Sequence, residues 1–105
     1  MAIETVNPAT GEPIETYPEM SWPDVEKRID ESHAAYLQWR RTEFDERADK
    51  MRAAAKLLRD DNQRYAEMIT REMGKPITQA LGEIEKCALV CEHGGFLCSS
   101  KLYIR

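Results

Sequence analysis

The chain has 105 residues, with 15 Lys and Arg against 19 Asp and Glu for a formal net charge of -4. That length suits one domain or part of one and excludes a two-domain enzyme holding a cofactor between its domains. The 42% apolar and 32% charged content excludes a disordered chain.

The charge imbalance has a location. Residues 1 to 21 carry Glu4, Glu12, Glu15 and Glu19 and no base, so the two signs balance in the remainder. There the bases are interleaved with acids along helical faces, which excludes the Lys/Arg stripe that nucleic acid requires. Pro8, Pro13, Pro18 and Pro23 keep helix out of the opening stretch. Ile3 to Val6 and Ile14 to Tyr17 are β-prone runs flanking Asn7-Pro8-Ala9-Thr10-Gly11-Glu12, a segment rich in turn residues. A hairpin is predicted. Two strands alone are marginal in water, so they need a third strand or a helical layer.

From residue 21 the period changes to that of a helix. Ser21 and Asp24 have capping spacing with Pro23 in the first turn, and Trp22, Val25, Ile29, Tyr36 and Trp39 form a stripe running to about Arg40. Thr42 and Asp45 repeat the cap. The second stripe is Phe44, Ala48, Met51, Ala55 and Leu58, with a break at Asp60-Asp61; the third is Tyr65, Met68, Ile69 and Met73. Gly74 is read as a left-handed stop, with Pro76 forbidding continuation. A fourth helix carries Ile77, Leu81, Ile84, Ala88 and Cys91, and Gly94-Gly95 is read as its end. Phe96 to Arg105 have lost the helical period. The predicted architecture is a β-hairpin followed by four amphipathic helices, without internal repeat or linker.

No membrane span is expected, since the longest apolar run, Cys87 to Cys91, falls far short of the ~20 residues required. Three clustered cysteines are not a secreted disulfide framework, and a cytoplasmic setting is expected. Cys87, Cys91, His93 and Cys98 are the candidate thiol or metal constellation. Cys87 and Cys91 are one turn apart, but His93 points nearly opposite to Cys91, and C-x3-C-x-H-x4-C matches no common zinc spacing. The pattern reads more simply as small buried thiols on an apolar face. His33 is a flank residue of the first stripe. No G-x-G-x-x-G or P-loop motif is present, and Lys75 reads as a charge complementing a helix C-terminus.

Val6-Asn7-Pro8-Ala9-Thr10-Gly11-Glu12, Trp39-Arg40-Arg41-Thr42, and Glu72-Met73-Gly74-Lys75-Pro76-Ile77 with Gln79-Ala80 and Gly82-Glu83-Ile84 resemble, in order and spacing, the start of the aldehyde dehydrogenase superfamily. Lys86-Cys87-Ala88 and Cys91-Glu92 are most similar to its bacterial succinate-semialdehyde dehydrogenase branch. The resemblance covers residues 3 to 93, so 1 to 93 is assigned to the N-terminal portion of such a domain and 94 to 105 to an unmatched tail. It implies an α/β family fragment whose full-length relatives use NAD or NADP. In those relatives a cysteine thiolate attacks the aldehyde, amide donors hold the oxyanion, and a glutamate activates water. Those residues lie beyond position 105, so no catalytic, cofactor-binding or metal residue is carried over, and Cys87, Cys91 and Cys98 are not that nucleophile. The chain is read as a truncated reading frame, inactive alone. Its expected partner is itself or a full-length aldehyde dehydrogenase subunit, with neither nucleic acid nor membrane involved. The alternatives are a small helical interaction module and the thiol or metal site.

Overall fold

A computed structural model describes residues 2–99. It consists of β1 (Ile3–Val6), β2 (Pro13–Tyr17), α1 (Trp22–Trp39), α2 (Phe44–Asp60), α3 (Asn62–Met73) and α4 (Ile77–Ser99). This is the expected hairpin followed by four helices. The strands are antiparallel, pairing Ile3 with Tyr17 and Thr5 with Glu15, with an irregularity after Thr5. The turn between them closes through its own polar groups. The Asn7 Oδ1 accepts from the Ala9 amide at 2.9 Å, the Gly11 amide donates to the Asn7 carbonyl at 2.8 Å, and Gly11 adopts φ +75°.

Helix α1 starts as its sequence requires. Ser21 is the cap, its Oγ accepting from the Asp24 amide at 3.4 Å and donating to the Asp24 carboxylate at 2.5 Å. Helix α2 departs from expectation. Its N-cap is Glu43, without a side-chain bond. Thr42 is engaged elsewhere, donating to the Trp39 carbonyl at 2.7 Å and accepting from Arg47 Nε at 2.9 Å. The Arg47 guanidinium also lies 5.5 Å from the ring centres of both Trp39 and Phe44. The elbow between α1 and α2 is therefore held by a cation between two aromatic rings rather than by a capping box. Gly74 closes α3 at φ +68°, the left-handed stop the sequence indicated.

Helix α4 does not end at Gly94-Gly95. It runs on to Ser99, because both glycines face α2. A Cβ at Gly95 would stand 3.1 Å from the Ala48 carbonyl oxygen and 3.6 Å from Met51 Cβ, while one at Gly94 would meet Met51 Cε at 3.3 Å. Their lack of a side chain lets two helices approach, and the helical backbone continues through them. Ala48, near the start of α2, lies against Gly95, near the end of α4, and Arg59, near the end of α2, pairs with Glu85. The two helices are thus antiparallel. Residues 100–105 of the expected tail lie outside the described residues, as does the Cys98 side chain.

The core is small and built of alanines: Ala48, Ala55, Ala66, Ala80 and Ala88 are buried, with Ile84 as the one larger member. Leu58, Tyr65, Ile69, Ile77 and Leu81 pack around Ala66, Ala80 and Ile84. Helix α1 buries nothing. Trp22 is 79% exposed and Ile29 63%. The radius of gyration is 18.1 Å, against about 13 Å for a compact chain of this length. The accessible surface is 8576 Å², against about 6,000 Å² for a folded monomer of this mass.

Candidate functional site

Two of the segments that carry the family resemblance meet in space. The turn Asn7 to Glu12 folds over the end of α3, so that a Cβ placed on Gly74 would lie 3.1 Å from Pro8 Cγ. The left-handed glycine thus ends the helix and also seats the proline of the hairpin turn. Lys75, next in sequence, forms an ion pair with Glu83 on α4 rather than serving only the C-terminus of α3. Hairpin, α3 and α4 converge at this one corner.

The second polar feature is the Arg59 fork. From α2, Arg59 Nε and Nη2 donate to Glu85 at 3.0 and 2.9 Å, and Nη2 also donates to Glu92 at 3.1 Å. Two carboxylates seven positions apart on α4 share one planar guanidinium, a geometry lysine cannot supply. The hydrogen bonds to Arg59 hold both carboxyls below their usual range and push the guanidinium further up. The sign of the pH dependence follows. A depressed carboxylate contributes stability above its unfolded value, about 4.3, and loses it as pH falls through the folded value. Replacing Glu85 and Glu92 by Gln is expected to lower the melting temperature at neutral pH. At a pH low enough to protonate both carboxyls in the folded state as well, the gap to wild type should close. Thermal melts followed by circular dichroism at the two pH values read this directly.

Among the described residues, those singled out from sequence do not gather at one place. Cys87 is exposed and Cys91 half-buried, both as free thiols, so the expected burial of Cys87 is incorrect: the buried line of α4 runs through Ala80, Ile84 and Ala88. His93 is exposed. Among the described residues no three His, Cys, Asp or Glu side chains gather as metal ligands. His33 is exposed on α1 with its ring 6.2 Å from that of Tyr36. Two of the open depressions among the described residues border the hairpin and the α1–α2 elbow. One of about 250 Å³ lies between β2 and α3, bordered by Ile14, Tyr17, Arg64 and Arg71. The other, about 550 Å³, lies along the α1–α2 elbow beside Tyr36, Trp39 and Lys50. Neither contains a thiol or imidazole beside a base.

The described residues do not fit a nicotinamide coenzyme either. A dinucleotide phosphate needs glycines on a strand-to-helix turn that leave backbone amides open. Here the close approach at Gly74 is taken by Pro8 and that at Gly95 by Ala48, while Gly82 lies within α4. No described helix is long and apolar enough to cross a membrane.

Against known proteins, the aldehyde dehydrogenase family model matches residues 1–100. The chain belongs to the aldehyde dehydrogenase family. It is 44% identical over 94 residues to the succinate semialdehyde dehydrogenase (NAD(P)+) Sad of Escherichia coli, covering 86% of this chain and 20% of that protein. A probable succinate-semialdehyde dehydrogenase (NADP+) of Synechocystis is 40% identical over 91 residues, covering 87% of this chain and 20% of its own length. The crystal structure of succinic semialdehyde dehydrogenase from Streptococcus pyogenes, in complex with NADP+, superimposes with a TM-score of 0.86 at 30% identity, covering 92% of this chain and 22% of that one. The chain therefore spans about a fifth of the length of the relatives it matches, and it resembles their N-terminal region.

Proposed function

We propose that this chain serves as the leading hairpin and helices of an NAD(P)-dependent aldehyde dehydrogenase that oxidises succinate semialdehyde in the cytoplasm. Its part is to cover and align, and it has no turnover of its own. The observation that carries this reading is α1, an amphipathic helix of 18 residues with no buried residue. Most of the stability of a helix in a protein comes from packing its amphipathic face, so α1 needs a surface beneath its apolar stripe. Identity to succinate-semialdehyde dehydrogenases supports the substrate class. The absence of a nucleophile-and-base pair among the described residues is consistent with catalytic groups lying on the body that α1 covers. Co-expression with the Escherichia coli relative lacking its matched segment tests the reading. Succinate semialdehyde oxidation is expected from the pair and from neither part alone; turnover by this chain unaided would overturn it.

A further inference from the structure

The Cys87 and Cys91 thiols are used neither by the core nor by the reading above. Both are free, Cys87 exposed and Cys91 half-buried. They lie on successive turns of α4, and at that spacing the two Cβ atoms are about 5–6 Å apart on one face. A disulfide requires Cβ atoms about 3.5–4.5 Å apart and sulfurs at about 2.05 Å, so the rigid helix disfavours direct oxidation of the pair. A bridging atom asks for much less. With bonds near the ~2.3 Å of a metal thiolate and the bond angle near ~100° of a pyramidal centre, a single thiophilic atom holds two sulfurs roughly 3.5 Å apart. Side chains on a helix lean toward its N-terminus, which carries Cys91 back toward the turn of Cys87.

The ligand count selects the class of centre. Tetrahedral zinc wants four ligands. Glu92 is held by Arg59, and His93 lies about 200° around the helix from Cys91. No third donor joins the pair among the described residues. We propose that Cys87 and Cys91 form a two-thiol capture site for monosubstituted trivalent arsenicals, whose third valence is already filled by carbon. The arsenic stays trivalent throughout. Two As–O bonds of the arsonous acid are exchanged for two As–S bonds, and the two thiol protons leave with the two oxygens as two molecules of water.

The test uses the full chain with Cys98→Ser, so that only this pair of thiols remains, and phenylarsine oxide as the probe. One arsenic per chain is expected by native mass spectrometry, with both thiols lost to titration and the thermal melt of the helices shifted upward. Cys87→Ser and Cys91→Ser should each weaken binding by roughly 10²- to 10⁴-fold, the loss of an intramolecular second bond. A further variant keeps two thiols but misplaces one: Cys91→Ser with Leu89→Cys, where Leu89 is an exposed position two residues from Cys87. It should bind as weakly as a single-thiol chain. Two arsenicals per chain, or a misplaced pair that binds as tightly as Cys87 with Cys91, would overturn the assignment.

Discussion

Gly74→Val is expected to destabilise the chain by about 2–4 kcal/mol, the largest effect of any single glycine replacement. Two costs add. Gly74 has φ +68°, where an L-residue costs roughly 1–2 kcal/mol and a β-branched one more. The new Cβ would also stand 3.1 Å from Pro8 Cγ, inside ordinary contact distance, so the hairpin turn must lift away from α3. Asparagine separates the two costs, since it tolerates the left-handed region but still carries a Cβ. Gly74→Asn is therefore expected to be worse than Gly11→Asn, because Gly11 has φ +75° with open space beyond it. Equal melting temperatures for the two asparagine variants would show that Pro8 exerts no pressure on this corner.

Gly95→Leu is the second large expectation, a loss of roughly 1–3 kcal/mol from overpacking. The obstacle is the backbone carbonyl of Ala48, 3.1 Å from the position a Cβ would take, and it cannot swing aside as a side-chain end can. The gap between α2 and α4 would have to widen along a seam of alanines with little other apolar area to lose. Gly82→Ala is the internal control. It lies in the same helix with nothing within 4 Å of its Cβ position, so removing glycine there should stabilise by about 0.5–1 kcal/mol. Opposite signs at positions 82 and 95, read by denaturant midpoint, are the expected result. A stabilised Gly95→Leu would mean that the two helices are not in contact at that point.

The contrast between those glycines also shows why parts of the fold were legible in the sequence and others were not. Turn and cap chemistry acts within a few residues, so the hairpin turn, the Ser21 cap and the left-handed Gly74 could all be read locally. Gly94-Gly95 was misread as a helix end because its role depends on Ala48 and Met51, more than 40 positions earlier. Thr42 failed as a cap for a related reason: Arg47, pinned between Trp39 and Phe44, claims its hydroxyl. The stripes identified the right helices and the buried Ala48, Ala55, Ile84 and Ala88, but they missed Ala66 and Ala80. Alanine carries little hydrophobic signal, yet Ala66 and Ala80 are fully buried while Met68 and Met73 are exposed. Candidate chemistry followed the same division. The spacing of Cys87 and Cys91 was plain, but their exposure depends on how α4 is rotated against α2, which no local pattern states.

The apolar face of α1 ties these findings to function. A stripe with Trp22, Ile29 and Tyr36 more than half exposed is costly to leave in water. The matched members of the family are about five times longer, and under the function proposed above the stripe lies on that larger body. Amide hydrogen exchange of α1 is the most direct measurement, made on the chain alone and on the chain co-expressed with the Escherichia coli relative that lacks its matched segment. Alone, α1 should exchange far faster than the stretches of α2 and α4 that contain Ala55 and Ala88; in the pair, its protection should rise to match theirs. Protection of α1 in the solitary monomer equal to that of α4 would contradict the account.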